Sequence, residues 1–342
     1  MKTLLPILLV LPFLIHAQKE KVVSLNPEKA ITLPLSQIAE KVTPISLKDY
    51  DGAVQFVYMT DDGLYICGLS TISKLDISGK IVKTVNCGYV SGISGDILKK
   101  EIYVSMSGNE ADKNKIVCFD YDLKEKKSYK TKYIPNLICY FKDNLWIHSY
   151  YADETTRTAY YKISTLDLTT GKESFLNFEI SEKSKYPNGI IVYSNATFSV
   201  YKDQIAFTNG VDSTIYGIKE GKIYPIVRYK VKPFKNLSYV KPQMATKGFI
   251  GKYLLINYLM ENKLKGGSEW FCYLEDMNTG NKNDMTYFFD DDIYHTGNCV
   301  IKEILNKEGY FYIFRTKEEL SKVSKDLNLS GGNAIFIVKA KK

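Results

Sequence analysis

The sequence predicts an all-β fold: a six-bladed β-propeller, closed by pairing an N-terminal strand with the C-terminal strand, with a short helix before that last strand. Three observations predict it. First, a polar turn followed by a short apolar strand recurs along the chain, as "TDDGLYICG" (60–68), "LKKEIYVSM" (98–106), "FKDNLWIHS" (141–149), "YKDQIAFTN" (201–209), "FIGKYLLIN" (249–257) and "NKEGYFYIF" (306–314). The copies stand roughly 37 to 60 residues apart, near or above the period of propeller blades. Second, these strands are apolar at nearly every position, whereas a half-buried strand alternates. A sheet covered on both faces by its neighbours needs such continuous runs. Third, the last repeat is one strand short, and an unassigned strand, "KVTPISL" (41–47), stands near the other end.

The elements follow in order. "MKTLLPILLVLPFLIHAQ" has a basic start, an apolar stretch from Leu4 to Ile15 and a small residue at Ala17. This is the pattern of a secretory signal peptide, cut between Ala17 and Gln18, so residues 1–17 are a leader and 18–342 form a single propeller domain. The apolar stretch is shorter than the ~20 residues that span a bilayer. "PLSQIAE" is expected to make one or two helical turns. Each repeated strand then has an upstream partner, such as "AVQFVYM" or "PNLICYF", and downstream partners joined by turns such as ISG, LTTG, KEG and NTG. Gly supplies the positive φ those hairpins require. After "YFYIF", Thr316 to Glu319 matches a capping box, and Leu320, Val323 and Leu327 share one helical face. "NAIFIVKAK" is the final strand. Closing the ring with strands from both termini removes free sheet edges.

Composition excludes several classes. The net charge is +8, but the lysines are spread along the chain, mainly in turns. A nucleic-acid binder concentrates its charge on one face. The six cysteines allow 15 disulfide pairings, and four of them (Cys67, Cys118, Cys139, Cys272) sit within apolar strands. They are expected to be mostly buried thiols, with at most one bridge. No CxxC or Cys/His cluster marks a zinc site. P-loop, dinucleotide and GxSxG signatures are absent.

Three stretches carry a resemblance: "LPLSQIAEKVTPISL", "VDSTIYGIKEGKIYPIVRYKV" and "KEELSKVSKDLNLSGGNAIFIVKAK". In pattern and order they resemble the six-bladed propeller proteins that Bacteroidota export. The resemblance implies a periplasmic or secreted propeller with no assigned activity. Members commonly carry a lipoprotein cysteine after the leader, and this chain has none there.

Few residues point to chemistry. Strand alternation puts Trp146, His148 and Tyr150 on one face, where they could stack on a sugar ring or pack between blades. "FFDDDIYHTGN" gathers Asp290, Asp291, Asp292 and His295; its oxygens suit Ca²⁺, but adjacent carboxylates cannot all point one way. Trp270 ends a polar excursion, "ENKLKGGSEW". With "GNEADKNK" (108–115) and "YADETTRTAYY" (151–161), it is expected to form a cluster of long loops on one face of the disc. The expected function is therefore an exported, non-enzymatic binding or scaffold protein. Its glycan-like or peptide-like ligand would lie at the axial channel or the long-loop face, touching Trp146, His148, Tyr150, Trp270, Asp292 and His295. No cofactor is expected. The alternative is a propeller-type lyase or hydrolase using His148 or His295 with a metal. An outer-membrane protein is a further candidate partner, and the chain is expected to be a monomer without a membrane span.

Overall fold

The computed structural model describes residues 20–106, 114–184, 196–231, 246–261, 267–322, 329 and 332–342. Six antiparallel sheets follow one another around a ring. Blade one comprises Phe56–Thr60, Gly63–Cys67, Thr71–Leu75 and Ile81–Asn86. Blade two comprises Val90–Asp96, Glu101–Met106, Lys115–Asp120 and Glu125–Lys130. Blade three has longer strands: Ile134–Phe141, Asn144–Asp153, Thr158–Leu166 and Glu173–Lys183. Blade four is Thr197–Tyr201, Gln204–Thr208, Thr214–Lys219 and Lys222–Val231. Blade five is Thr246–Ile250, Tyr253–Glu261, Ser268–Asp276 and Lys282–Asp291, with Gly297–Cys299 folded back onto the last of these.

Blade six closes the ring. Lys302–Glu303, Tyr310–Arg315 and Asn333–Ala340 come from the C-terminal part, and Ala39–Leu47 is its outer strand. That strand pairs antiparallel with Asn333–Ala340 from Leu47↔Asn333 to Ala39↔Ala340. The helix Lys317–Ser321 starts with the expected capping box: Thr316 Oγ1 accepts from Glu319 N–H, and the Glu319 carboxylate accepts from Thr316 N–H. Val323 and Leu327, expected on its apolar face, lie outside the described residues, as does the leader 1–17. "PLSQIAE" makes a single 3-10 turn, Leu35–Gln37.

The apolar strands make six core layers, one between each pair of neighbouring blades. Tyr103, Ile116, Ile138 and Ile147 join blades two and three, and Cys139, Ile163, Phe198 and Phe207 join three and four. The layer that seals the ring sets Ile304, Tyr312, Ile335 and Ile337 of blade six against Val57, Leu64 and Ile66 of blade one. The other three layers complete the circuit. The continuous apolar character of the strands thus has its cause in two-sided burial.

Expected to be the first of the mature chain, the closing strand is preceded by two strands among the described residues. Lys21–Leu25 lies parallel on the outer strand of blade four, and Ile31–Pro34 parallel on that of blade five. The N-terminal segment is a strap that runs along the rim over blades four and five before completing blade six. Val23 and Leu25 are buried in the layer between blades four and five, and Leu33 and Leu35 in that between five and six.

The expected long-loop face also differs. Tyr151 to Asp153 and Thr158 to Tyr161 are strand, so the turn between them is short and the hairpin is long. Trp270 lies within the strand Ser268–Asp276. Residues 107–113 and 262–266 lie outside the described residues. The six cysteines are all buried free thiols, and burial pushes the pKa of five of them up, Cys139 to about 12.

Candidate ligand cleft

The first strand of each blade stands innermost, and its free edge is open on the axis side. Small polar side chains of one blade satisfy much of the next blade's open edge. Ser94 Oγ accepts from Tyr140 N–H at 2.7 Å, and Ser91 Oγ donates to Pro135 O at 2.7 Å. Ser199 Oγ accepts from Phe249 N–H at 3.1 Å. Across the seam, Asn306 bonds both the N–H and the C=O of Met59, Lys302 Nζ donates to Val54 O, and Tyr312 OH donates to Gln55 O. The serines and asparagine near the axis therefore have structural partners, because buried backbone groups left unpaired are costly. Gly95 belongs to the same packing: a Cβ there would stand 2.4 Å from both Glu101 O and the Tyr58 hydroxyl oxygen.

Trp146, His148 and Tyr150 share one face of blade three, as alternation requires, and blade four covers much of that face. His148 is 1% exposed, and neither ring nitrogen has a hydrogen-bond partner outside its own backbone among the described residues. Burial lowers its pKa to about 4. Its ring lies 5.9 Å from that of Tyr161, tilted. Tyr150 is half-buried, and burial raises its phenol pKa. Trp146 is half-buried at the other end of this face, packed against the layer with blade four.

The three aspartates diverge. Asp291 is buried and accepts from Tyr294 N–H and from the Thr296 hydroxyl, which also accepts from buried Arg315 Nε. Asp292 accepts from Ser36 N–H at 2.9 Å and from its hydroxyl at 2.5 Å, which pins the N-terminal strap. Burial works against its charge, but the Ser36 bonds and nearby His295 outweigh it, so the carboxyl sits below its usual range. Asp290 is exposed, and His295 is exposed on a turn at φ 55°. Trp270, 38% exposed, stacks at a tilt 5.2 Å from Tyr287 on blade five. It lies on a different blade from Trp146. Among the described residues, no three His, Cys, Asp or Glu side chains gather as a metal site.

A cavity of about 570 Å³ opens between blades three and four. Its mouth is framed by two equivalent turns, Lys142-Asp143 and Lys202-Asp203, whose φ angles are 48° and 60° in both. This is the left-handed pair that a two-residue hairpin demands. Phe141, Trp146, Ile205 and Ile218, which pack together in the layer between these blades, supply its apolar lining. Asn144, buried Gln204, Lys219 and Glu220 supply polar groups. Lys142 Nζ bridges to Asp203 at 2.6 Å, tying one turn to the other. Only Trp146 of the sequence-predicted residues lines this cleft. The signal that could have found it was the shared "KDN" and "KDQ" turns of "FKDNLWI" and "YKDQIAF" in consecutive repeats.

No protein-family model matches the chain, and no curated protein matches it. Solved structures do. A Bacteroides fragilis protein assigned as exported aligns with a TM-score of 0.63 at 12% identity, over 94% of this chain and 100% of that one. BamB from Moraxella catarrhalis aligns at 0.44 and 10% identity, over 88% and 99% of the two chains. The WD40 domain of Neurospora crassa Pan2 aligns at 0.39 and 10%, over 84% and 76%. At 12% identity the likeness to the Bacteroides fragilis protein is one of fold.

Proposed function

We propose that this chain is an exported binding protein without catalytic chemistry, which holds a glycan-like or peptide-like ligand at the surface of a rigid propeller. One observation supports the reading: a cleft between blades three and four is lined by the aromatic side chains of Phe141 and Trp146 together with polar and charged ones. Its volume of about 570 Å³ lies within the ~300–1,000 Å³ of small-molecule sites. Of the titratable groups expected to do chemistry, His148 is sealed in the core and Asp291 and Asp292 are held in structural bonds, while His295 stands exposed on its turn. Export is supported by the leader-like first residues and by where pairing begins. The first strand among the described residues starts at Lys21, so a cut after Ala17 leaves the strap intact. No helix among the described residues is long and apolar enough to cross a membrane.

Purified mature protein tested against glycan and peptide panels by calorimetry and product analysis decides the matter. Saturable binding with unchanged ligand is the expected result. Turnover of a bound ligand would overturn the non-catalytic reading. Sequencing the N-terminus of protein recovered from the periplasm is expected to begin at Gln18.

A further inference from the structure

We infer that the N-terminal strap is an acid-released latch: carboxylates hold residues 20–38 on the rim, and acidification frees that segment while the ring stays closed. The inference does not depend on the binding reading above.

The polar contacts between strap and ring carry the argument. Lys21 Nζ pairs with Glu275 at 2.5 Å, and Glu275 is 4% exposed. Asn26 N–H donates to the Asp284 carboxylate at 2.7 Å. Ser36 gives both its N–H and its hydroxyl to Asp292. Glu20 pairs with Arg228 of blade four at 2.8 Å. Glu275 and Asp284 belong to blade five, and Asp292 follows its last strand, so one blade grips the strap near its start, middle and end. The other side-chain contacts among the described residues are weaker: an exposed hydroxyl pair, Thr32 with Thr286, and Lys21 Nζ on Met277 Sδ at 3.7 Å. Backbone pairing adds only strands of five and four residues, Lys21–Leu25 and Ile31–Pro34.

The closure of the ring is built differently. Its strand, Ala39–Leu47, is nine residues long. The bonds at the seam run from amide, ammonium and phenol groups to backbone: Asn333 to Tyr50 O, Asn306 to Met59, Lys302 to Val54 O and Tyr312 to Gln55 O. The ion pair on the closing strand, Lys339–Glu40, is exposed, and such pairs contribute little. Acid therefore acts on the strap's contacts and spares those of the seam.

Protonation turns charge-assisted bonds into neutral ones about half as strong. Glu275 faces Lys21, the Tyr273 hydroxyl and, on the adjacent strand, Lys282. Asp284 stands opposite Tyr273. Asp292 has His295 nearby, with Asp290 and Asp291 preceding it in the chain. Burial opposes the Asp292 charge, but the Ser36 bonds and His295 hold its carboxyl below the usual range. Its grip is thus full above the ordinary carboxylate range and is lost as pH falls through the lower value. Release would withdraw Val23, Leu25, Leu33 and Leu35 from their layers and uncover the outer strands of blades four and five.

Hydrogen exchange of the full mature chain, resolved by peptide, tests this. The acid series uses His148→Leu, so that the core imidazole adds no acid response of its own. Between about pH 7 and 3, after correction for intrinsic rates, residues 20–38 are expected to lose protection at a higher pH than 39–47 and 333–340. At neutral pH the variant Glu275→Gln/Asp284→Asn/Asp292→Asn keeps the shapes and removes the charges. Its strap is expected to exchange about tenfold or more faster than the wild type, with the closing strand unchanged. Asp292→Asn alone, with a smaller change in the same direction, keeps the test valid if the triple variant fails to fold. Simultaneous loss of protection in both segments on acidification overturns the inference. So does a strap that stays as protected in the amide variants as in the wild type.

Discussion

His148 shows how a single side chain exchanges one reading for another. On the strand it looks like a ligand contact; in the fold it is a neutral imidazole sealed between blades. Its pKa, lowered to about 4 by burial, means the unfolded chain binds a proton that the native chain refuses between about pH 6.5 and 4. The stability it confers is therefore full above pH 6.5 and is lost as pH falls toward 4. The loss should approach ~3 kcal/mol, which urea unfolding of the wild type at pH 7, 5 and 4 would measure. His148→Leu should flatten this dependence between pH 6.5 and 4. An unaltered pH profile in that variant would show that the imidazole is not the group responsible. Gly95 is a second case of the same scale. With Cβ contacts of 2.4 Å waiting on the Glu101 carbonyl and the Tyr58 hydroxyl, Gly95→Ala should cost about 1–3 kcal/mol in chemical denaturation.

Individual elements explain residues that looked functional. Asp292 anchors the strap through Ser36, so Asp292→Ala should destabilise the fold by about 1–3 kcal/mol and leave ligand affinity unchanged. Thermal melting and calorimetry on one preparation would separate these effects; weakened binding at full stability would return Asp292 to a ligand role. The strap also accounts for a difference in edge composition. The covered outer edges contain "IVRYKV" (226–231) and "MTYFFDD" (285–291), rich in apolar and aromatic residues, while the outer strand of blade two is "EKKSYK" (125–130). Charged residues protect an open edge from pairing with other chains, and a covered edge does not need them. Removing residues 20–38 should expose those apolar edges. The truncated protein is expected to aggregate, and light scattering after expression would detect it. The capping box adds a smaller term: Thr316→Ala should cost ~1 kcal/mol.

For the whole molecule, closure is the controlling event. The layer between blades six and one exists only if Ala39–Leu47 reaches Asn333–Ala340, which brings together strands from opposite ends of the chain. Ile337→Asp would place a charge among the apolar side chains of that layer, beside Tyr312. Such a change should cost several kcal/mol and broaden the unfolding transition as the ring opens, which calorimetry would record. Repeat, two-sided apolar pattern and missing strand made the ring legible in the sequence, because each reflects local chain geometry or the arithmetic of strands. The rim strap was not legible. "KVVSL" and "ITLP" are too short to show period, and their partners lie about 200 residues or more away in the chain.

By itself the sequence determined the blade count, the order of the strands, the closing strand and the capped helix, since turn chemistry and hydrophobic pattern act over a few neighbouring residues. Only the tertiary structure decided which aromatic remained accessible. Trp146 and His148 sit on the same face of one strand, and the difference between them is where blade four leaves space. That space depends on side chains from another repeat, and no local pattern encodes it.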